Sequence, residues 1–448
     1  MNLEDYLHQN ARCYPDKVAV VCGDTSLTYA QLWQEVARRA QDFHPHEVVC
    51  FRSSQDIDFL VTYMAVHLAG GVAVPLEHGM PDTLFERISS TVAHSFTLHS
   101  SLPIADILYT TGTTGQSKGV MVSHCALIAD AENLIAGQGF SHDLVFIING
   151  PLNHIGSLSK IWPCIILGAT ILIIEGMKDL NAFFRALDTP PSSFLLPPSS
   201  KLKFATFFVP ATIRMILQFA PDRLASYAHK LDFIESGAAP LPQTDMKRLC
   251  ELLPHTRLYN TYASTETGII ATYNYNDKCC MANCLGRPMP HSKILITPDG
   301  LIACQGDTLM SGYVGDPELT ATVLRDDTVF TSDVGILDEE GMLHLSGRSS
   351  DVINVGGFKV SPIEVEEVAM ASPMVSDCIC ISASHPVTGR ALKLLVVTPS
   401  GQKLDKRTLA RYLADRLEPY KVPMLYEQVD TIARTYNGKL DRKFYLTP

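Results

Sequence analysis

One short segment of the sequence concentrates the groups that bind phosphate. Residues 109–119 read Tyr-Thr-Thr-Gly-Thr-Thr-Gly-Gln-Ser-Lys-Gly, with four threonines, three glycines and one lysine. Glycine lets backbone amides approach a phosphate closely, hydroxyl groups donate to its oxygens, and Lys118 offsets its charge. The spacing differs from the G-x-x-x-x-G-K-[ST] loop. The segment therefore predicts a phosphate-binding loop of another kind, with a polar surface turn as the alternative.

The elements around this loop have an α/β pattern. Apolar runs of strand length occupy residues 18–22, 171–174 and 231–234, and residues 57–68 have helical spacing. This alternation predicts α/β layers with largely parallel sheets. Short strands and turns after residue 285 predict a small β subdomain. The last 100 or so residues predict a compact α+β unit with its own core.

Composition excludes several classes of protein. The chain has 448 residues, of which 46% are hydrophobic and 19% charged, and its net charge is -11. These values exclude a disordered chain, and the sequence offers no basic cluster for nucleic acid. The apolar run at residues 161–174 is short and interrupted by Pro163 and Gly168, so we expect no membrane span. Without an apolar signal segment at the N-terminus, we expect a cytoplasmic protein whose 12 cysteines are reduced.

Further motifs follow in order along the chain. They lie at residues 27–32, 68–75, 262–266 (Tyr-Ala-Ser-Thr-Glu), 331–333 (Thr-Ser-Asp), 347–362 and 435–442 (Thr-Tyr-Asn-Gly-Lys-Leu-Asp-Arg). With the phosphate loop, this ordered set resembles the AMP-forming adenylating superfamily of acyl-CoA synthetases, adenylation domains and beetle luciferases. The resemblance implies a large N-terminal domain of α/β subdomains plus a small β subdomain, residues 1–349. It also implies a small, mobile α+β lid, residues 350–448.

The resemblance also implies a reaction in two steps. A carboxylate attacks the α-phosphate of ATP to give an acyl-adenylate and pyrophosphate, and a thiol of coenzyme A or of a separate acyl carrier protein then displaces AMP. Lys439 is the implied catalytic residue that bridges the carboxylate and the α-phosphate. Glu266 is the implied ligand of Mg²⁺, a cation that prefers oxygen ligands, and Thr265 donates to the α-phosphate. A helix-start role for Glu266 is the alternative.

Other motif residues are implied to hold the nucleotide. Tyr262 offers a ring face to adenine, Asp333 accepts from both ribose hydroxyls, and Arg348 reaches the ribose or the phosphate. The full predicted ATP-binding set is Thr110, Thr111, Gly112, Thr113, Thr114, Gly115, Lys118, Gly237, Ala238, Ala239, Asn260, Tyr262, Thr265, Asp333, Arg348 and Lys439.

The acid side is implied by residues 151–154, Pro-Leu-Asn-His, which resemble the motif of fatty- and aryl-acid ligases. Amino-acid-activating enzymes carry an aspartate in this region, and residues 151–160 contain none. An acid without an α-amino group is therefore favoured. The predicted acyl pocket comprises His154, Ile155, Gly237 and Ala263, and His154 is also a candidate catalytic gate or a structural histidine. The alternatives are amino-acid adenylation and a non-catalytic nucleotide- or adenylate-binding protein.

The resemblance places a pivot at residues 347–351, with Ser350 and Asp351 as candidate hinge residues. Gly356, Gly357 and Lys359 are expected to face the tunnel that admits the thiol. Residues 77–105 are much shorter than in most relatives, and only residues 81–91 look helical. This predicts that one edge of the N-terminal domain is trimmed.

Overall fold

The structure is a computed structural model. It describes residues 1–96, 103–111, 117–177, 179–188, 202–277, 281, 283–355, 358–385, 389–434 and 440–445.

The N-terminal part of the chain alternates helices and strands. Its helices are α1 (Leu3–Cys13), α2 (Tyr29–Arg39), α3 (Ile57–Leu68), α4 (Asp82–Phe96), α5 (His124–Gln138), α6 (Ile155–Leu158), α7 (Ile161–Leu167), α8 (Leu180–Asp188), α9 (Pro210–Phe219), α10 (Pro221–Ser226) and α11 (Gln243–Leu252). Its strands are β1 (Val18–Cys22), β2 (Thr25–Thr28), β3 (Val48–Ser53), β4 (Val72–Glu77), β5 (Ile104–Thr111), β6 (Ser117–Ser123), β7 (Leu144–Ile148), β8 (Thr170–Ile173), β9 (Lys203–Phe208), β10 (Leu231–Ser236), β11 (Arg257–Ser264) and β12 (Gly268–Asn274).

The middle of the chain is mostly β. Its elements are β13 (Cys284–Pro288), β14 (Ser292–Ile296), β15 (Leu301–Gly306), β16 (Gly312–Tyr313), α12 (Pro317–Val323), β17 (Leu324–Arg325), β18 (Thr328–Leu337) and β19 (Leu343–Arg348). The C-terminal part comprises β20 (Ile353–Val355), β21 (Phe358–Val360), α13 (Pro362–Met370), β22 (Asp377–His385), β23 (Gly389–Val397), α14 (Lys406–Ala414) and β24 (Leu425–Gln428).

Two sheets organise the N-terminal part. In the larger one, the parallel run is β11-β10-β9-β7-β8-β1. The smaller sheet has the order β16-β6-β5-β4-β3, in which β5 and β6 form the antiparallel hairpin that flanks the predicted phosphate loop. Parallel strands buried on both faces need near-continuous apolar sequences. The runs at β1, β7 and β8 meet this need, and the predicted α/β class is confirmed.

The predicted β subdomain is continuous with the larger sheet. Strand β13 pairs with β12 on one side and with β19 on the other, so β14, β15, β18 and β19 extend the same strand path. This connection places β18 and β19 beside the end of β11.

Local signals account for several boundaries. The Asp56 side chain accepts from the amide of Phe59 at the start of α3, and its predicted span of residues 57–68 agrees with the structure. Gly168, with φ +68, ends α7 in the left-handed conformation that glycine favours. The apolar run at residues 161–174 thus divides into a helix and a strand. No described helix has the length and apolar character needed to cross a membrane.

The shortened region between β4 and β5 contains one helix, α4, which continues to Phe96, five residues beyond the predicted end. It packs over the smaller sheet through Ile88 and Val92, which are buried with Val74 and Ile107. Among the described residues, strand β3 forms one edge of this sheet and β16 forms the other.

The C-terminal part has an apolar core of its own. Val360, Val365, Cys380, Leu394 and Leu409 are among its buried members. The sheet β22-β23-β24 backs this core. The division at residue 350 remains a prediction.

Candidate functional site

Three predicted nucleotide residues meet at the end of β11. Tyr262 donates its hydroxyl to Asp333 Oδ2 at 2.9 Å, and Arg348 Nε donates to Asp333 Oδ1 at 3.1 Å. Asp333 and Arg348 face each other across β18 and β19, which explains how residues 15 positions apart in the chain form an ion pair. Each carboxylate oxygen has two lone pairs, so Asp333 retains capacity to accept two further hydroxyls.

Tyr262 is held in its neutral form. Burial, together with the charge of Asp333, raises the pKa of its phenol well above the usual value. A neutral phenol remains a donor to Asp333 and fixes the orientation of that carboxylate. The ring is mostly buried, so Tyr262 positions Asp333 in addition to its predicted contact with adenine.

Tyr313 contacts both Glu266 and Lys118. Tyr313 donates its hydroxyl to Glu266 Oε1 at 3.0 Å, and Lys118 Nζ lies 5.4 Å from the centroid of the same ring, within the range of a cation–π contact. Burial and Glu266 raise the pKa of Tyr313 above its usual range, so it remains a donor. Strand β16 pairs with β6, and this pairing brings Tyr313 to the base of the phosphate loop.

Glu266 and Thr265 lie in the turn between β11 and β12, both half-buried. The alternative role of Glu266 at a helix start is therefore wrong, because the residues after it form a strand. A half-buried carboxylate with one oxygen bonded to a phenol fits a hard cation that takes its remaining ligands from phosphates.

The turn after β10 carries a strained backbone. Ala238 is exposed and has φ +67, a conformation that costs free energy for a residue with a Cβ atom. Gly237 before it is buried, and a Cβ there would lie 3.1 Å from the carbonyl oxygen of Thr261. The predicted turn of Gly237, Ala238 and Ala239 is thus pressed against β11, next to Tyr262.

Asn260 lies on β11 two residues before Tyr262, and its side chain is buried. Its amide nitrogen donates to the Tyr275 hydroxyl at 2.6 Å. This contact fixes the orientation of the amide, and its predicted role as an adenine contact remains a prediction.

Phe207 joins the two predicted segments of the acyl pocket. A Cβ on Gly156 would lie 3.3 Å from its ring, and a Cβ on Gly237 would lie 3.4 Å away. His154 is the N-cap of α6 and Ile155 is the first residue of that helix, so both directly precede Gly156, which packs on this half-buried ring. Ala263 is half-buried beyond Tyr262. The two glycines therefore let the backbone of both segments pack against the same aromatic ring.

The hinge residues connect to the C-terminal end of the chain. Ser350 is exposed and its hydroxyl bonds to Asp351 Oδ1 at 3.1 Å. Arg442 Nε lies 3.3 Å from Asp351 Oδ2, and its other nitrogens bond Glu366 at 2.6 and 2.8 Å. Arg442 therefore ties the segment after Lys439 to both the hinge and α13.

Part of the predicted site lies outside the described residues: Gly112, Thr113, Thr114, Gly115, Gly356, Gly357 and Lys439. For Thr111 and Lys359 the structure describes the backbone but not the side chain. Thr110, near the end of β5, is half-buried. Lys439 directly precedes Leu440, which pairs with Arg434 in an antiparallel bridge.

Two family models match long stretches of the chain. The model described as "AMP-binding enzyme" matches residues 7–101 and 100–314, and the model of its C-terminal domain matches residues 364–439. The chain belongs to the AMP-binding enzyme family. The two N-terminal matches meet within the shortened region, at residues 100–101. The prediction of an AMP-forming ligase of the adenylating superfamily is confirmed.

Several characterised proteins are similar to this AMP-binding enzyme. A feruloyl-CoA synthase from Amycolatopsis sp is 27% identical, and the alignment covers 96% of both chains. An indoleacetate–CoA ligase from Aromatoleum aromaticum is 29% identical over 80% of this chain and 70% of its own. Among solved structures, an O-succinylbenzoate coenzyme A synthetase from Bacillus subtilis, in complex with ATP and magnesium ion, has a TM-score of 0.82. It is 21% identical and covers 98% of each chain.

A buried ion pair lies next to the predicted acyl pocket of this AMP-binding enzyme. Lys160 Nζ lies 2.8 Å from both carboxylate oxygens of Glu235, and both side chains are 1% exposed. Lys160 also lies 5.5 Å from the centroid of the Phe207 ring. Glu235 comes two residues before Gly237. The pair therefore fixes the helical segment after His154 to the turn after β10.

Removing one member of this pair leaves a buried charge without its partner. We expect Lys160→Met to destabilise the protein by about 3–5 kcal/mol, and a second change, Glu235→Leu, to restore most of that loss. Chemical denaturation followed by tryptophan fluorescence measures both. The exposed pair of Arg185 and Asp179 is the matched control, and Arg185→Met should cost less than about 1 kcal/mol. If Lys160→Met cost as little stability as Arg185→Met, the structural role of the buried ion pair would be contradicted.

Three residues that lie beside the predicted site residues carry no motif in the sequence: Phe207, Tyr313 and Lys160. Tyr313 follows Gly312 in a segment that carried no chemical signal. A lysine directly before the apolar run of residues 161–174, and a glutamate inside the apolar strand β10, were signals that could have suggested a buried ion pair.

Proposed function

We propose that this enzyme joins a carboxylic acid without an α-amino group, aryl or fatty, to coenzyme A through an acyl-adenylate. The observation that supports this most is the meeting of separate motifs around the hairpin of β11 and β12. Tyr262, near the end of β11, contacts Asp333, which Arg348 also bonds. Glu266, in the turn after β11, is linked to Lys118 through Tyr313. These groups suit a ribose and a polyphosphate respectively.

The proposed chemistry needs charge and positioning more than a base, because two anions must meet. A carboxylate oxygen of the acid bonds to the α-phosphorus while the bond to the bridging oxygen breaks and pyrophosphate leaves. The thiol sulfur then bonds to the acyl carbon, and AMP leaves with the electrons of the C–O bond. Lys118 and Lys439 supply positive charge. Mg²⁺ would be held by Glu266 and would neutralise phosphate charge.

The acid class is supported by the surroundings of Phe207. Gly156 and Gly237 pack closely against its ring, where a Cβ on either would lie 3.3 or 3.4 Å away, so an aromatic ring forms the wall between the two segments of the predicted acyl pocket. Glu235 is the carboxylate that precedes this turn, and Lys160 already neutralises it. An amino acid would need a carboxylate available for its ammonium group, which disfavours amino-acid adenylation. The names of two relatives specify an aryl or arylacetic acid and coenzyme A. These names favour coenzyme A over a carrier protein as the acceptor.

A panel of acids with ATP and Mg²⁺ tests the proposal. Hydroxylamine traps the acyl-adenylate, and pyrophosphate release gives the rate without any thiol. We expect hydroxycinnamic, arylacetic or fatty acids to give pyrophosphate release. With such an acid, coenzyme A should then serve as the acceptor in place of hydroxylamine. Response to amino acids alone would overturn the acid class. ATP binding without pyrophosphate release for any acid would favour the non-catalytic alternative.

A further inference from the structure

A second cluster of chemical groups lies away from the nucleotide site. It contains Glu4 at the start of α1, His67 near the end of α3 and His124 at the start of α5. One ligand atom from each residue lies within 4.8 Å of the others, and the two imidazole rings are 5.3 Å apart. None of the three residues belongs to the proposed adenylation machinery.

Two atoms in this cluster are buried without a hydrogen-bond partner among the described residues. They are Nδ1 of His67, whose side chain is fully buried, and Oε2 of Glu4. A buried polar atom without a partner loses its hydration without compensation, so native structures rarely leave one unless a water or an ion satisfies it. Two such atoms in one cluster favour a site for a bound polar group or ion.

A buried carboxylate orients His67 for this role. His67 Nε2 lies 2.8 Å from Asp106 Oδ1, and the other oxygen, Oδ2, accepts from the Tyr63 hydroxyl at 2.8 Å. Trp162 in turn donates to Tyr63 at 3.0 Å. When Nε2 donates to the carboxylate, Nδ1 is left as the acceptor. Metal-binding histidines commonly have this outer carboxylate, which fixes both the tautomer and the ring orientation.

We propose that Glu4, His67 and His124 bind a divalent first-row metal ion such as Zn²⁺. Two imidazoles and one carboxylate are ligands that zinc prefers, with a fourth position left for water. Ligand atoms around tetrahedral zinc stand about 3.4 Å apart, given bonds of about 2.0–2.1 Å, so the cluster would contract by roughly an ångström. Glu4 and His124 are only half-buried, which leaves a path for the ion.

The metal would stabilise a particular junction. It would fix α1 to α3 and to α5, directly after β6, whose hairpin with β5 flanks the phosphate loop. Asp106 itself lies on β5. The site is therefore at the base of the hairpin, while Thr110 and Lys118 face each other near its tip.

Metal content of the full chain tests the proposal directly. Protein stripped with EDTA and equilibrated with Zn²⁺ at pH 7.5 should bind about one ion per chain, and Co²⁺ should give the visible spectrum of a tetrahedral site without thiolate bands. We expect His124→Gln and Glu4→Gln to abolish this ion, and Asp106→Asn to weaken it about 10–100-fold. Zinc should also raise the melting temperature of the wild type, and less so of the variants.

A matched control and circular dichroism distinguish binding from misfolding. His291 lies 2.7 Å from Glu132 and 3.1 Å from Asp307, so His291→Gln also removes an imidazole that contacts carboxylates. That variant should retain the ion. Because Glu4 and His124 are half-buried, their glutamine variants should fold even if Asp106→Asn does not. A wild type without bound zinc, or zinc retained equally by His124→Gln and Glu4→Gln, would overturn the proposal.

Discussion

Lys439→Ala should lower the rate of adenylate formation by about 10²–10³-fold, the size of effect seen when one group that stabilises a developing charge is removed. The substrate carboxylate and the α-phosphate are both anionic, and the ammonium group is the proposed bridge between them. Transfer of a pre-formed acyl-adenylate to coenzyme A should stay within a few-fold of wild type, because that step joins a thiol to a neutral acyl carbon.

The chain around Lys439 supports this assignment. Arg434 and Leu440 pair as an antiparallel bridge, and the Asp441 amide donates to the Ala433 carbonyl at 3.0 Å, so both ends of residues 435–439 are fixed. Arg442 anchors the following residues through its two bonds to Glu366.

Lys443→Ala provides the matched control for this prediction. It removes the same charge from the same terminal segment, four residues away, and should leave both half-reactions within about two-fold. The two rates are measured separately, by pyrophosphate release with hydroxylamine and by thioester formation from synthetic adenylate. Equal loss of both half-reactions in Lys439→Ala would contradict a role confined to the first step.

The features that the sequence predicted have local causes. Helix α3 follows from apolar spacing together with the Asp56 cap, and both signals lie within a few residues of the helix. Asp333 and Arg348 are each recognisable from a local motif, but the ion pair between them was not predicted, because it depends on the pairing of β18 with β19. The sequence near a residue therefore indicates its element and motif, but not its partner across the sheet.

The features that the sequence did not predict depend on distant register. Lys160 and Glu235 are 75 positions apart, and His67 and Asp106 are 39 apart. Their contacts are set by how β10 aligns with its neighbours and how α3 packs on β5. Phe207 lies between the two segments of the predicted acyl pocket because β9 pairs in parallel with β10, where Phe207 stands opposite Glu235. Such pairings are properties of the assembled sheet, so no motif in a single sequence reports them.

Glu266→Gln should lower adenylate formation by about 10²-fold and raise the Mg²⁺ concentration needed for half-maximal rate. The amide keeps the shape of the side chain and its bond from Tyr313, but it removes the negative charge that favours a hard cation. The substitution therefore separates the charge of Glu266 from its packing. Titration of Mg²⁺ at saturating ATP, with pyrophosphate release as the readout, measures both quantities.

Two further variants isolate the cause of this effect. Glu318→Gln removes an equal charge from exposed helix α12, close in sequence to Tyr313, and should leave the Mg²⁺ dependence unchanged. Tyr313→Phe removes the donor at 3.0 Å while Glu266 keeps its charge, so its effect should be smaller, about ten-fold, near the lower end of what one hydrogen bond to a charged group contributes. If Glu266→Gln lowered the rate with an unchanged Mg²⁺ requirement, the carboxylate would act by orienting Tyr313 and Lys118, and the magnesium ligand would have to be another residue.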